Sequence, residues 1–522
     1  FAGNVCTWYG TAGDGQWDTA GNWDIKPQSG NGDTVILQNT GNSPVINNNM
    51  GTMAIAALQI ASGSQALTLT GDMLQLDSVA SGDASAYYDK AANAQITIAC
   101  PLYLPTKDAL AYFLLVSSAY THVSGNISGP GGLDYRGGSA GDTKSEWVET
   151  DLLKLSGDNT FEGDVKLRPR RSELASTNAL GKAGKSVYLC LSATSQYLFS
   201  APGLYDYKFG ISDQKGCLWF SADCQLAGFN FYSGSGSKVR FCADVPVQVD
   251  VLGAVSCQAP AATHKLDLSF PDGGHLHFRD SFVYPDVCIG VREDDGDWEG
   301  RDVTGGRVYF HDENTMIATF LNKYGGVEFY HPNFLPEGYV PYYDYRRTAG
   351  VACYYLNGND QTIDHLDTTT SFDQAKYTAD TGRFFETDAP AALTIKATAG
   401  GEANVSFQGP MSVIYDAQGD YRQAIYNRTI AMTGDLIVSN GTFALTGTTT
   451  MKNANEVVVA GGAFEIASTA AKSLQYVKRI SVAAGGTLKV ATAVDPFAGS
   501  TVVDLEKGAK LDVGSAFQLT TM

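Results

Sequence analysis

The stretch from Leu436 to Val513 repeats one short pattern four times, as "LIVSNGTFAL" (436–445), "VVVAGGAFEI" (457–466), "ISVAAGGTLKV" (480–490) and "VVDLEKGAKLDV" (502–513). Each copy has a short strand rich in β-branched residues, a turn with glycine, and a second strand of alternating character. The aligned glycines, Gly441, Gly462, Gly486 and Gly508, are 21, 24 and 22 residues apart. A repeat of this length indicates stacked structural units rather than a conventional globular core.

A unit of this size can form one turn of a parallel β-solenoid. Its strands then lie about 4.8 Å from those of the next turn, and one face of each strand points inward. One turn cannot bury that face alone, whereas several stacked turns create a continuous core. Leucine-rich repeats have a similar period, but these units lack their leucine frame and their helical half. We therefore expect an all-β parallel β-helix of roughly 15–20 turns and about 70–100 Å in length.

The same logic recurs less regularly toward the start of the chain. The segments 55–71 ("IAALQIASGSQALTLTG") and 152–167 ("LLKLSGDNTFEGDVKL") again predict strand, glycine turn and strand. We divide the chain into a cap with a first strand (1–40), β-helix turns (41–200), an irregular region rich in cysteine and aromatic residues (201–353), and regular turns (354–522). The third region is predicted to carry insertions or an embedded module.

Composition narrows the functional classes. The chain has 522 residues, of which only 17% are charged, with 57 glycines and 27 tyrosines, and its formal net charge is −19. Such a charge repels nucleic acid and anionic membranes, because phosphate binding depends on clustered Lys and Arg. No run of about 18 apolar residues occurs, so no membrane-spanning helix is expected.

The nine cysteines contain no C-x-x-C pair, which argues against zinc-ribbon and thioredoxin-like sites. Disulfides, as in proteins of oxidising compartments, are one interpretation, and buried free cysteines are the other. The odd count leaves at least one thiol free or paired between molecules. The chain begins with Phe rather than Met, which indicates processing or truncation, and secretion signals are commonly removed segments. These features favour a secreted or cell-surface protein.

The segment "LSGDNTFEGDVKL" (155–167), followed by "STNALGKAGKSVYL" (176–189), resembles the autotransporter-associated β-strand repeat, whose usual form is close to L-x-G-x-N-T-Y/F-x-G-x-T. Asp164 stands where that repeat often has Gly or Thr. "LNGNDQTIDHLDTTT" (356–370) and the opening "WDTAGNWDIKPQSGNGDTVIL" (17–37) are also similar to segments of large secreted bacterial proteins that carry such repeats. The resemblance covers about half of the chain, mainly 1–200 and 354–522. It implies a right-handed parallel β-helix of the passenger type and export, and it implies nothing about activity.

The densest charge cluster is "VREDDGDWEGRD" (291–302). Its acidic side chains, which are hard oxygen ligands of the kind Ca²⁺ prefers, are Asp294, Asp295, Asp297 and Glu299. Their spacing does not match an EF-hand loop, and a solvated acidic loop is the competing interpretation. Calcium is the one cofactor that we consider.

Two histidines in "GGHLHFRD" (273–280), His275 and His277, occupy alternate positions of a predicted strand. They therefore share one strand face, because strand side chains repeat every two residues. Such a pair can hold a metal, but no third ligand is identifiable. A polar strand face is the favoured interpretation.

The most unusual composition lies between Lys323 and Tyr355, where tyrosines are concentrated between prolines. Tyrosine and arginine are enriched at binding hot spots. The candidate binding residues are Tyr339, Tyr342, Tyr343, Tyr345, Arg346 and Arg347. Binding of sugars or of another subunit is one interpretation, and packing of a long insertion against the solenoid is the other.

Three tryptophans, Trp8, Trp17 and Trp23, lie in a glycine-rich stretch ahead of the strand "DTVIL" (33–37). The first turn of a solenoid has no predecessor to cover its apolar interior. We predict that these indoles close that opening as a structural cap.

No catalytic set of residues is identified, since most of the sequence follows repeat geometry. We expect a non-catalytic structural or adhesive β-helix protein outside the cell. Open solenoid ends expose strand edges, so self-association into a filament or surface layer is a further hypothesis. The alternative is a carbohydrate-binding or polysaccharide-degrading β-helix protein, with surface glycans as partners.

Overall fold

The computed structural model describes residues 3–41, 44–61, 63–77, 87–90, 95–106, 110–115, 120–137, 152–167, 171–190, 195–212, 215–232, 238–257, 264–290, 305–322, 325–341, 351–366, 382–497 and 499–514. These residues form two compact units, divided between Asp267 and Leu268. The chain is a parallel β-solenoid of about 16 turns. The predicted fold class and number of turns are confirmed.

Unit 1 has its strands in four groups, and within each group neighbouring strands pair in parallel. Sheet 1A contains Val5–Trp8, Thr34–Leu37, Ala57–Ile60, Tyr87–Lys90, Leu110–Leu115, Gly132–Gly137, Val165–Leu167, Ser186–Cys190, Lys208–Ser212, Phe229–Tyr232 and Val255–Cys257. Sheet 1B contains Val45–Asn48, Leu67–Gly71, Gln95–Ile98, Tyr120–Val123, Leu152–Leu155, Arg171–Leu174, Ser195–Phe199, Lys215–Phe220 and Lys238–Ala243. Sheet 1C contains Met53–Ile55, Leu74–Leu76, Leu102–Tyr103 and Ile127–Ser128, and sheet 1D contains Gly203–Tyr205, Cys224–Leu226 and Gln248–Val251.

Unit 2 is built in the same way. Sheet 2A contains His275–Phe278, Arg307–Phe310, Gly325–Phe329, Val351–Tyr355, Gly382–Glu386, Val405–Gly409, Thr429–Met432 and Thr450–Met451. Sheet 2B contains Val283–Ile289 and Met316–Asn322. Sheet 2C contains Gln361–Ile363, Ala391–Ile395, Met411–Asp416, Leu436–Asn440, Glu456–Val459, Arg479–Val482 and Val502–Leu505, and sheet 2D contains Gly401–Ala403, Arg422–Tyr426, Thr442–Thr446, Ala463–Ile466, Thr487–Val490 and Lys510–Val513. The strand Lys265–Ser269 contains the division between the units.

The alternating sequence pattern sets the core. In the strand Arg479–Val482, Ile480 and Val482 are buried, while Arg479 is exposed and Ser481 is partly exposed. Their register partners on the preceding strand, Val457 and Val459, are buried as well. Because parallel strands stack in register, equivalent positions from turn to turn form continuous apolar columns.

The region predicted to be irregular, 201–353, contains regular strands in its described parts. Gly203–Tyr205 and Lys208–Ser212 pair with Cys224–Leu226 and Phe229–Tyr232, respectively. Its aromatic residues extend the interior columns: the rings of Phe209 and Phe229 stack at 5.5 Å. The cysteine- and aromatic-rich composition therefore fills ordinary solenoid turns.

The four aligned glycines are required for two different reasons. Gly441 and Gly508 have positive φ angles of 72° and 98°, which favour glycine. Gly462 and Gly486 are crowded instead, because a Cβ atom there would lie 2.4 Å from the carbonyl oxygen of Gly441 and 2.6 Å from that of Val459, respectively. Positive φ thus explains half of the set, and close approach to backbone atoms explains the other half.

Helical structure is limited among the described residues to the short 3-10 segment Ala20–Asn22. In that part of the chain no helix has the length and apolar character needed to cross a membrane.

Candidate functional site

A continuous strip of rings lies on the outer face of sheet 2A. It consists of His275, His277, Tyr309, His311 and Tyr330, and we call it the ring strip. The register of the first two strands places His275 opposite Arg307 and His277 opposite Tyr309. The alternate residues Leu276 and Phe278 are buried in the core. The prediction that His275 and His277 share one strand face is confirmed.

The rings of the strip are in contact from one end to the other. His277 stacks on Tyr309 at 4.0 Å with an interplanar angle of 11° and on His311 at 5.4 Å. His311 in turn lies 4.2 Å from Tyr330, whose side chain is 39% exposed. The stacked rings therefore cover one another's faces, and Tyr309 is only 7% exposed, so the ring that the strip presents most fully to solvent is the phenol of Tyr330 at its end.

Hydrogen bonds fix the orientation of the imidazoles. Nδ1 of His275 lies 2.7 Å from the hydroxyl of Tyr309, and Nδ1 of His277 lies 3.1 Å from Nε2 of His311. Nη1 of Arg279 also lies 3.1 Å from that Nε2 atom. Because a guanidinium only donates, Nε2 of His311 is the acceptor and Nδ1 of His277 is a donor.

A second arginine borders the strip. The guanidinium of Arg307 lies 4.1 Å from the ring centre of Tyr355, and its Nη2 donates to the Tyr355 hydroxyl at 3.2 Å. Gly326 makes this possible, because a Cβ atom there would lie 2.9 Å from both side chains. The contact is a cation–π pair that packs over the backbone of Gly326.

The phenols of the strip are neutral donors at ordinary pH. Burial, followed by the hydrogen bond to the carboxylate of Glu328, raises the pKa of Tyr330 to about 12. The Tyr330 hydroxyl donates to Oε1 of Glu328 at 2.9 Å. Burial likewise raises the pKa of Tyr309. The site thus combines stacked rings, phenol hydroxyls, guanidinium groups and one carboxylate.

The imidazoles of the ring strip are held by other side chains. Among the described residues there is no group of three or more His, Cys, Asp or Glu side chains suited to a metal ion. His275 and His277 are instead bound to Tyr309 and His311, and Arg279 places a positive charge beside the imidazoles.

Most of the other predicted site residues lie outside the described part of the chain. These are the acidic residues Asp294, Asp295, Asp297 and Glu299 and the binding candidates Tyr342, Tyr343, Tyr345, Arg346 and Arg347. Tyr339 is described, and it is only 6% exposed. Its hydroxyl lies 2.9 Å from that of buried Tyr354. Tyr339 therefore packs in the interior, which matches the packing interpretation at this position.

The three predicted cap residues form one buried cluster in unit 1. The ring of Trp23 packs edge-on against Trp8 at 5.1 Å and against Trp17 at 5.4 Å. Trp8 and Trp17 are completely buried, and Trp23 is 7% exposed. Such edge-to-face contacts are the preferred geometry of aromatic pairs.

The backbone of residues 9–24, the cap segment, covers the first strands of two sheets. Trp17 N–H donates to the carbonyl of Asn47 at 3.0 Å, and Asn47 N–H donates to that of Gly15 at 2.8 Å. Trp23 forms an antiparallel bridge with Trp8. The segment thereby satisfies backbone groups that the outermost described strands of sheets 1A and 1B would leave unpaired.

None of the eight cysteines whose side chains the structure describes is in a disulfide. The sulfurs of Cys217 and Cys242 lie 3.2 Å apart. Their register, Cys217 opposite Arg240 and Trp219 opposite Cys242, offsets them by two residues on neighbouring strands. That offset separates their Cα atoms by roughly 8 Å, which exceeds the usual disulfide range of about 4.4–6.8 Å.

Sequence reasoning found two of the five strip residues and missed Tyr309, His311 and Tyr330. The sequence feature that could have identified them is the similar pattern of "HLHFR" (275–279) and "RVYFH" (307–311), in which the alternate, outward positions are His, Tyr or Arg. In comparisons with known proteins, no family model, no curated protein and no solved structure matches the chain. What the observations define is thus a class, a parallel β-solenoid with a ring-lined outer face.

Proposed function

We propose that the protein is an extracellular adhesive β-solenoid that binds carbohydrate through the ring strip of unit 2. The observation that carries the proposal is the unbroken contact of rings from His275 to Tyr330, bordered by Arg279 and Arg307. Export rests on the sequence features alone.

The chemistry of the strip suits a sugar ring. The partly exposed ring of Tyr330 offers apolar contact to the C–H face of a pyranose, and the exposed guanidinium of Arg279 can donate to its oxygens. The hydrogen bonds among the strip residues hold the rings in place before a ligand arrives. Such pre-organisation lowers the entropy cost of binding.

Single-stranded nucleic acid also binds to ring platforms flanked by arginine. That ligand is disfavoured because it needs a positive groove along the backbone, whereas this chain has a net charge of −19. A nucleic acid therefore serves as a negative control for the binding experiment.

We propose binding without cleavage. Glycoside hydrolysis ordinarily uses two carboxyl groups on either side of the scissile bond. In the described contacts of the ring strip one carboxylate takes part, that of Glu328, and it accepts the Tyr330 hydroxyl. The Glu328 carboxylate thus accepts a hydrogen bond from Tyr330, and we propose that it orients this phenol rather than acting in catalysis.

Self-association is a second candidate function, and the turn formed by Val502–Leu505 and Lys510–Val513 favours it. Val503 and Leu505 are 37% and 44% exposed, although their register partners Ile480 and Val482 are fully buried. A second copy seated on this turn would cover them. Sedimentation and negative-stain imaging test the idea, and a monomer over a wide concentration range would exclude it. Calcium binding by the 291–302 loop remains a sequence-based prediction.

Affinity electrophoresis tests the main proposal. The native protein is run through gels containing xylan, barley β-glucan, polygalacturonate or chondroitin sulfate, with poly(dT) as the nucleic-acid control. We expect retardation by at least one polysaccharide, and a roughly tenfold weaker affinity for Tyr330→Ala and Arg279→Ala, which corresponds to about 1.4 kcal/mol.

The matched control is Tyr476→Ala, which removes a phenol that is 50% exposed and lies outside the strip. It should bind like the unmodified protein. Equal retardation of Tyr330→Ala and Tyr476→Ala, or retardation by poly(dT) alone, would refute the proposed function.

A further inference from the structure

Unit 1 carries a separate pair of exposed rings on the outer face of sheet 1A. Tyr188 and Tyr232 are 38% and 37% exposed, and their ring centres lie 6.5 Å apart with an interplanar angle of 37°. On the neighbouring strand, Gly210 is the register partner of Tyr188. On the strand after that, the register partner of Gly210 is Asn230, and Tyr232 follows it by two residues. The neighbouring inward residues Phe209 and Ile211 are buried. We call Tyr188, Gly210 and Tyr232 the tyrosine platform.

Gly210 gives the platform its shape. Its φ angle lies outside the left-handed region, so the backbone does not require glycine there. A Cβ atom at this position would lie 2.8 Å from Cε2 of Tyr232 and 3.3 Å from Cδ1 of Tyr188. The missing side chain lets both rings settle low against the sheet. The same device, a glycine beneath ring-bearing neighbours, occurs at Gly326 under Arg307 and Tyr355.

A polar column borders the platform. Asn230 lies opposite Gly210, and its Oδ1 lies 3.1 Å from the hydroxyl of Ser256 on the next strand. The described contacts of the platform thus combine two inclined ring faces with an amide and a hydroxyl, and they include no charged side chain. This is the donor and acceptor chemistry of a neutral sugar site rather than of an ionic one.

The size of the surface also limits the ligand. A stable protein interface removes about 800 Å² of surface from each partner and has a well-packed hydrophobic centre. Two tyrosines that are each less than 40% exposed offer far less. We propose that the tyrosine platform is a second carbohydrate-binding position, on which a neutral pyranose lies across the exposed sides of the Tyr188 and Tyr232 rings with its hydroxyls directed to Asn230. The platform is independent of the ring strip, since it lies on a different unit and rests on different contacts.

Calorimetric titration with cellohexaose, xylohexaose, chitohexaose and hexagalacturonate tests the inference. All proteins carry Tyr330→Ala, so that the ring strip is already weakened. We expect a neutral hexasaccharide to bind, and Tyr188→Ala or Tyr232→Ala to weaken it about tenfold. Tyr188→Phe and Tyr232→Phe, which keep the ring, should retain most of the affinity.

Gly210→Ala provides the decisive variant, because it keeps both tyrosines and displaces their rings. It should weaken binding while the melting temperature stays within a few degrees of the parent. Tyr476→Ala is the matched surface control and should have no effect. The proposal is overturned when the Tyr188→Ala/Tyr232→Ala double variant binds every hexasaccharide as the parent does, or when only hexagalacturonate binds. Loss of ring-strip binding alone leaves these readouts unchanged, so the two sites are judged separately.

Discussion

The indole N–H of Trp23 donates to the main-chain carbonyl of Trp17 at 2.9 Å, and this bond fixes the central ring of a buried aromatic cluster to one of its two neighbours. Trp17→Ala or Trp23→Ala removes most of a buried indole and should lower the free energy of unfolding by about 3–5 kcal/mol. Carbohydrate binding should be unchanged. Urea unfolding followed by circular dichroism measures the effect, with Trp17→Phe as a milder control. Wild-type melting behaviour in both alanine variants would show that the cap segment does not stabilise this end.

Asn159 connects three successive turns through its side-chain amide. Its Oδ1 accepts the N–H of Ile127 at 2.6 Å, and its Nδ2 donates to the carbonyl of Ala179 at 2.7 Å. Asn159→Ala leaves both buried backbone groups without this partner, and we expect a loss of about 2–4 kcal/mol. Asn178→Ala, which removes an exposed bond to Asp158, is the control and should cost well under half as much. Equal losses in the two variants would contradict this role.

Glu465 connects neighbouring turns of sheet 2D electrostatically. Burial acts to raise its pKa, but two hydrogen bonds from Arg422 and the charges of Arg422 and Lys489 bring the pKa below its usual value of 4.5. A lowered folded-state pKa contributes stability above pH 4.5 that is lost as the pH falls through the folded value. Glu465→Gln should therefore reduce stability at pH 7 by about 1–2 kcal/mol and flatten the acid limb of the profile.

The control for this prediction is Asp504→Asn, which removes an exposed ion pair with Arg479. Exposed pairs contribute little, so its pH profile should follow that of the unmodified protein. If the free energy of unfolding of Glu465→Gln falls with decreasing pH as it does in the unmodified protein, the Glu465 carboxylate does not contribute to the pH dependence of stability.

Lys185 should make stability rise with pH. Burial lowers its pKa from the usual 10.5 to about 7, although Asp164 and Glu162 act in the opposite direction. Between these two values the unfolded chain binds more protons than the folded one, so unfolding becomes less favourable as the pH increases. Lys185→Met should remove this part of the slope, as measured by urea unfolding between about pH 7 and 9.5. Identical slopes for the two proteins would rule out the assignment.

Three buried thiols should resist alkylation in the folded protein. Burial raises the pKa of Cys6, Cys100 and Cys224 to about 12 each, and the thiolate is the reactive form. Iodoacetamide labelling followed by peptide mass spectrometry should leave these three unmodified in buffer and label them in denaturant. Rapid labelling of any of them under native conditions would refute the burial of that thiol.

Local pattern was sufficient to predict the solenoid, because its period, its strand alternation and its corner glycines all appear within about 22 residues. The resembling segment 155–167 has a comparable physical basis, since Cβ atoms at Gly157 and Gly163 would lie 2.5 Å from backbone atoms of a neighbouring turn. The ring strip could not be predicted in this way, because its residues are far apart in the sequence. His277 and His311 are 34 residues apart and meet only through the register of separate turns, which insertions of uneven length obscure.

Strand register also determines which insertions and duplications keep the ring strip on the outer face of the sheet. One residue inserted in the strand Arg307–Phe310 would turn Tyr309 toward the core and Val308 toward solvent, because strand faces alternate with every residue. Duplication of a complete turn would instead leave every face unchanged and add another outward row beside Tyr309. The strip can therefore be lengthened or shortened by gain or loss of whole turns, which keep its rings on the outer face. Single-residue insertions within its strands move those rings into the core and are expected to be selected against.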